Sequence, residues 1–252
     1  VELTDAEVVE KQRQLDSVAA IMSVETNRVC ADCCAADPEW ASINLGVLLC
    51  IECSGIHRSL GSHISKVRSL TLDGLSAETM DIISLVGNDR SNQVWEHTLQ
   101  AGWNKPTSAD PRHMKEQWIR SKYQWRGFVE FKAGRTADER EAEVGLQLYE
   151  AAGEGNIGAA LQAIAVGAKL NWVCDVPGNK VSWGLVKPSW TPLHAAASSG
   201  HVTMCEFLCL HGADMTATDG DDLTPLDVAS LNAEVEVVSL LTAKRDKDRP
   251  RK

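Results

Sequence analysis

Cys30–Cys53 reads CADCCAADPEWASINLGVLLCIEC, in which Cys30, Cys33, Cys50 and Cys53 spell C-x2-C-x16-C-x2-C. Each pair fits one tight turn, and two such turns can aim four thiolates at one ion. That is the tetrahedral sulfur set zinc prefers, at a spacing inside the usual window for zinc ribbons and fingers. Cys34 is one too many and reads as a spare thiol. With every ligand supplied by protein and no position left for water, the predicted zinc is structural. Any chemistry has to come from other residues.

Composition agrees with an intracellular metal domain and not with a disulfide scaffold. Five of the eight cysteines fall between Cys30 and Cys53, and the others (Cys174, Cys205, Cys209) are scattered. A secreted scaffold would spread them more evenly. The 252 residues are 44% apolar and contain no run long enough for a transmembrane helix. No signal peptide opens the chain, and a first residue of Val1 predicts a piece of something longer. Net charge is −10, all of it between Glu141 and Ala243, where 13 acidic side chains face 3 basic ones. The shift predicts a boundary near residue 140, with domains 1–140 and 141–243. Residues 25–73 hold six acidic and four basic side chains, so there is no basic stripe for nucleic acid.

The second domain reads as a repeat array. Trp190–Ala196 (WTPLHAA) recurs as Leu223–Ala229 (LTPLDVA) at an offset of 33 residues, with Gly212-Ala213-Asp214 closing the first copy. A 33-residue T-P-L-H period is the ankyrin repeat. An earlier copy begins at Leu148-Tyr149-Glu150-Ala151-Ala152. Three repeats are therefore predicted, near 143–175, 190–220 and 223–243, with a long loop over 175–188 that carries Trp183 at its tip. Cys174, Cys205 and Cys209 read as small apolar fillers, and residues 244–252 (KRDKDRPRK) as a basic disordered tail. The expected fold is mostly α: a zinc-finger domain of helices and a small β element, then an ankyrin stack.

In the first domain, residues 3–22 predict a helix with Val8, Val9, Leu15, Val18 and Ile21 on a broken stripe. Ser76 caps a second helix that Gly87-Asn88 stops. Asp110 and Pro111 read as N-cap and N1 of another, running to Trp125. Trp118, Ile119 and Tyr123 form its buried face, while Arg112, Lys115, Arg120, Lys122 and Arg126 read as a solvated one. Lys66–Leu72 alternates like a short strand. His57 and His63 read as rings bonded to backbone carbonyls around the zinc lobe.

Cys30–Asp73 continues past the last cysteine as SGIHRSLGSHISKVRSLTLD. The whole segment resembles the Arf GAP family, whose signature is this cysteine pattern followed by G-x-H-R, here Gly55-Ile56-His57-Arg58. The likeness extends over roughly residues 20–130 through Asp37–Ser42, Gly87-Asn88, Trp95, Lys105-Pro106 and Trp118–Tyr123. Departures are Thr26-Asn27, where Gly-Asn is usual, and Cys34, where Gly is common. Domain order and the segments around Asn171–Val173 and Cys205–Leu208 look most like the ACAP branch, which carries BAR and PH domains upstream.

From position alone, Arg58 fits either a structural salt bridge or a group acting on a partner. The resemblance implies the second: an arginine finger supplied in trans to a GTP-loaded Arf-family GTPase. An arginine in that role raises hydrolysis by about 10³–10⁵, because guanidinium is permanently charged and forks onto phosphate oxygens. The resemblance also implies docking through Trp40, Ile51, Leu72 and Asp73. No G-x4-G-K-[ST] loop is present, so the chain is expected to be an activator and not itself a nucleotide-binding enzyme. Expected partners are the Arf and an unidentified protein on the ankyrin repeats, with membrane contact mainly through domains upstream of residue 1. Expected localisation is cytoplasmic and peripheral to endosomal or plasma membrane. The competing reading is a catalytically silent zinc and ankyrin scaffold.

Overall fold

The computed structural model describes residues 4–131, 136–173, 180–181, 184–185 and 187–248. The chain divides into two compact units, Val1–Glu130 and Phe131–Lys252. The divide precedes the charge shift near residue 140. Thr136 and Glu139 make a reciprocal capping box that starts the helix Ala137–Glu154, which runs straight through that shift. Among the described residues no helix is long and apolar enough to cross a membrane.

In the first unit, α1 (Asp5–Ser23) leads through a 3-10 turn (Glu25–Arg28) to the zinc segment. Three short strands, β1 (Trp40–Ser42), β2 (Val47–Leu49) and β3 (Val67–Ser69), form an antiparallel sheet in the order β2-β1-β3. Trp40 is in register with Leu49 on one side and with Ser69 on the other. Gly46 closes the β1–β2 hairpin at φ +66, and a Cβ there would come within 2.5 Å of Val86 Cβ. Glycine is thus required by both backbone conformation and space. The strand expected over Lys66–Leu72 shrinks to Val67–Ser69, because residues 69–73 turn: Asp73 Oδ2 accepts the Ser69 N–H at 2.6 Å.

Helix α2 (Ile51–Ser59) begins at Cys50, whose sulfur accepts the Cys53 N–H and serves as its N-cap. Helix α3 (Ala77–Trp95) starts at the predicted Ser76 cap but does not end at Gly87. It breaks there (φ 61, ψ 177) and resumes. The break is clamped: Asn27 Oδ1 accepts the Asn88 N–H, and Asn88 Oδ1 accepts the Leu48 N–H. Helix α4 (Arg112–Ile119) starts one residue later than expected. Pro111 is its N-cap, while the Asp110 carboxylate turns back to the Thr107 N–H and hydroxyl. A π-helical turn, Arg120–Gln124, continues it.

Leu48, Leu49, Ile56, Leu70, Ile82, Ile83, Trp118, Ile119 and Phe128 are fully buried. Each such side chain contributes about 1.5–3 kcal/mol of burial free energy. The α1 stripe is corrected. Ile21 is buried, but Val8, Val9 and Leu15 are exposed, so α1 is anchored by Ile21 and by Gln14, whose Nε2 donates to the Leu70 and Asp73 carbonyls.

The second unit is three helix pairs: α5 (Ala137–Glu154) with α6 (Ile157–Ala165), α7 (Pro192–Ser198) with α8 (Val202–His211), and α9 (Pro225–Leu231) with α10 (Val235–Asp248). The T-P-L motif works as its chemistry predicts. Thr191 and Thr224 are N-caps in capping boxes with His194 and Asp227, and Pro192 and Pro225 occupy the first turn. Neighbouring repeats are laced by side chains: His201 Nε2 donates to Gly153 O, His194 Nε2 to Leu223 O, and Trp190 Nε1 to Asp219 Oδ2. Trp172 lies so close on Gly145 that a Cβ there would overlap its ring.

Two short strands in the predicted loop, β4 (Lys180–Val181) and β5 (Gly184–Leu185), form an antiparallel pair. Trp183 and Cys174 lie outside the described residues. Cys205 is buried, as expected of a filler, and burial pushes its thiol up. The tail differs from expectation. Helix α10 continues to Asp248, and Lys244 pairs with Glu206 at 2.6 Å, so this stretch is held by a partner on the preceding repeat.

Candidate functional site

The zinc segment folds as its spacing implies. The Cys30 N–H donates to Ala35 O and the Cys34 N–H to Cys30 O, closing one knuckle, which the Ala31 N–H ties to Leu48 O of β2. The first turn of α2 supplies the other pair. The sulfurs of Cys30, Cys33, Cys50 and Cys53 all lie within 4.8 Å of one another, with Cys33 and Cys50 at 3.6 Å. A tetrahedron with Zn–S bonds of about 2.3 Å has edges of about 3.8 Å, so the set fits one ion. These four cysteines are the ligands of a structural zinc. Cys34 stands outside the cluster, exposed, with φ 57. That left-handed conformation is why glycine suits the position.

Behind the cluster lies a buried polar chain that motif reading missed. Asp32, between two ligands, is fully buried. Its Oδ2 pairs with His57 Nε2 at 2.9 Å, and its Oδ1 accepts from Lys122 Nζ at 2.9 Å and from the Tyr123 hydroxyl at 3.2 Å. Lys122 Nζ also donates to Asn92 Oδ1 and Glu96 Oε1, each at 2.7 Å. His57 Nδ1 meets Ser65 Oγ at 2.8 Å. Burial alone would push the Asp32 carboxyl up, but the Lys122 ammonium and His57 hold it well below the usual carboxylate range. Burial likewise opposes the Lys122 charge, and Asp32 and Glu96 outweigh it and raise the ammonium.

Three expectations are corrected here. His57 bonds side chains and not carbonyls. His63 is exposed against Gly61 and makes no hydrogen bond among the described residues. Lys115 and Lys122 are buried, the first paired with Glu52 at 2.6 Å, so they do not belong to a solvated face.

This network makes a firm prediction. Lys122→Met leaves the Asp32 carboxylate fully buried without its ammonium, while Glu96 keeps Lys105 at 2.9 Å, and the loss is expected to cost about 3–5 kcal/mol. Urea unfolding should show the loss in the first unit, and adding Asp32→Asn should return part of it. A loss below about 1 kcal/mol would mean that the carboxylate finds water instead.

Arg58 projects from the last turn of α2 and is exposed. Its guanidinium carbon lies 4.5 Å from the centre of the Trp40 ring, a cation–π contact. It makes no hydrogen bond or ion pair among the described residues. Around it, Trp40 is half-buried, Ile51 is 66% exposed and Leu72 is 80% exposed. Register places Ile51 and Leu72 just beyond the two strand partners of Trp40, Leu49 and Ser69. Asp73 sits beside Leu72, and its carboxylate is engaged with the Ser69 N–H.

The ArfGap family, described as "Putative GTPase activating protein for Arf", matches residues 15–132, and ankyrin repeats in three copies match 148–250. ARF GTPase-activating protein GIT2 of Homo sapiens is 34% identical over 226 residues, covering 86% of this chain and 28% of its own length. ARF GTPase-activating protein GIT1 of Homo sapiens is 36% identical over 209 residues, covering 80% and 26%. Arf-GAP with coiled-coil, ANK repeat and PH domain-containing protein 2 of Gallus gallus is 31% identical over 304 residues, covering 88% and 38%. The chain thus spans well under half the length of these relatives. The expected likeness to the ACAP branch is corrected, since the GIT proteins match at higher identity. With an ArfGap match across the zinc unit and ankyrin repeats across the other, the chain belongs to the Arf GAP family.

Proposed function

We propose that this chain activates GTP hydrolysis on an Arf-family GTPase by presenting Arg58 in trans to the nucleotide phosphates. The observation that carries the reading is the condition of Arg58: exposed, resting on an aromatic face, and without a carboxylate partner among the described residues. A structural salt bridge would have engaged it. Its mount suits the task. Zinc fixes the first turn of α2, and the buried Asp32–His57 pair holds the residue next to Arg58. A finger displaced by about 1 Å can lose about 10²-fold in rate.

In this reading the guanidinium leaves the Trp40 ring and forks onto phosphate oxygens as charge develops there. The exposed apolar groups of Ile51 and Leu72, with Trp40 between them and Asp73 at the edge, supply the docking contact. Zinc contributes structure and no reacting position. The chain acts on nucleotide held by the GTPase, and the ankyrin unit serves as adaptor or support at a cytoplasmic membrane surface. Single-turnover GTP hydrolysis by a purified Arf, with and without the chain, tests the proposal. Acceleration of about 10³–10⁵-fold is expected. Binding without acceleration would favour the silent scaffold instead.

A further inference from the structure

Three cations of α4 and its π-helical extension lie toward α2. Two are neutralised. Lys115 Nζ donates to Glu52 Oε2 and Ser108 O, and Arg120 donates to Glu116 Oε1. The third, Arg112, is exposed and makes no hydrogen bond or ion pair among the described residues. Carboxylates within its reach in sequence are already engaged, Asp110 by Thr107 and Glu116 by Arg120. Its two terminal nitrogens stand 3.8 and 3.9 Å from where a Cβ on Gly55 would sit. Gly55 is four residues after Ile51 and three before Arg58, so all three positions share one face of α2. The Arg112 guanidinium therefore lies on that face between the apolar docking residue and the finger.

Stability does not account for it. Arg112 is the first residue of α4, and the first turn of that helix carries no acid. A cation at the positive end of a helix dipole is unfavourable, and Asp or Glu is the stabilising choice there. Two unpaired guanidinium groups on one face also repel. Local rules broken without internal compensation point to function.

We propose that Arg112 is a second docking cation, which pairs with a carboxylate on the surface of the GTPase while Arg58 enters the nucleotide site. This rests on the activator reading above. A surface carboxylate fits better than phosphate. Arg112 is folded back along α2, about 4.5 Å up the axis from the level of Arg58, at the rim of the contact and not at its tip. Rim charges steer association and set its salt dependence more than they alter chemistry.

The test uses the whole chain, an Arf lacking its lipid anchor, and no vesicles. Affinity for Arf loaded with a non-hydrolysable GTP analogue and the single-turnover rate at saturating chain are measured at low and high salt. Arg112→Gln is expected to weaken affinity about tenfold at low salt, flatten the salt dependence and leave the saturating rate within about twofold. Arg112→Glu should weaken it further while keeping or raising Tm, which a merely structural residue would not do. Arg90→Gln, an exposed cation on α3 that donates to Leu85 O, should change nothing. Equal affinities for the parent chain and Arg112→Gln overturn the inference. So does a fall in saturating rate at unchanged affinity, which would place Arg112 on phosphate, or a defect seen only with anionic vesicles, which would place it on lipid. A parent chain that neither binds nor accelerates an Arf overturns the activator reading itself, and this inference with it.

Discussion

Arg58→Lys is expected to lose about 10³–10⁵-fold of GTPase acceleration while zinc content, fold and Arf binding stay in place. Lysine keeps the positive charge, so a purely electrostatic role would survive the change. It loses the planar fork that can bond two phosphate oxygens at once. Structural damage cannot account for such a loss. The side chain is exposed, its contact is with the Trp40 ring, and an exposed cation–π contact is worth about 0.5–1 kcal/mol. Surface changes of this kind move stability by about 0.5 kcal/mol. Single-turnover hydrolysis at saturating chain reads the effect, with Tm and bound zinc measured on the same samples. A lysine variant within tenfold of the parent would remove the finger role and leave Arg58 as a docking charge.

The sequence makes legible whatever is local or periodic. Cys30 to Cys53 declares itself because two short turns and one fixed spacing suffice for a metal site. The T-P-L motif does so because capping and a proline in the first turn act within four residues, and the 33-residue offset repeats them. The Asp32–His57–Lys122–Glu96 chain is different, since Lys122 meets Asp32 across 90 residues of sequence, and no spacing rule connects them. A signal was nevertheless present. Lys115, Trp118, Ile119, Lys122 and Tyr123 stand at i, i+3, i+4, i+7 and i+8, one continuous helical stripe. Both lysines therefore lie on the apolar face. Reading residue type ahead of position assigned them to solvent. The α4 start was missed for a related reason: Asp110 is a good cap residue, but Thr107 competes for its carboxylate. Arg112 consequently lands at the first helical position, where its charge is uncompensated.

Removing zinc is expected to unfold the first unit and spare the second. The ligands join the knuckle at Cys30 and Cys33 to the first turn of α2 at Cys50 and Cys53, so the ion staples the two segments that the sheet and Arg58 depend on. Apparent zinc binding in small domains is worth about 10–16 kcal/mol, against about 5–15 kcal/mol for the net stability of a whole domain. The core around Leu48, Ile56 and Ile82 cannot cover that difference once four thiols crowd together without an ion. All four ligands lie in the first unit, and the ankyrin unit has a core of its own that includes Leu148, Tyr149, Leu193, Phe207 and Leu208. Its capping boxes and inter-repeat hydrogen bonds should hold without metal. A strong chelator should therefore release one zinc per chain, abolish the proposed acceleration of GTP hydrolysis and remove one of two unfolding transitions. Hydrogen exchange would locate the change: amides of β1–β3 and α2 should lose protection while those of α5–α10 keep it. Full zinc release with protection of α2 retained would mean that hydrophobic packing alone holds the finger's mount. The buried Asp32–Lys122 pair would then be the principal tie between the zinc knuckle and the rest of the unit.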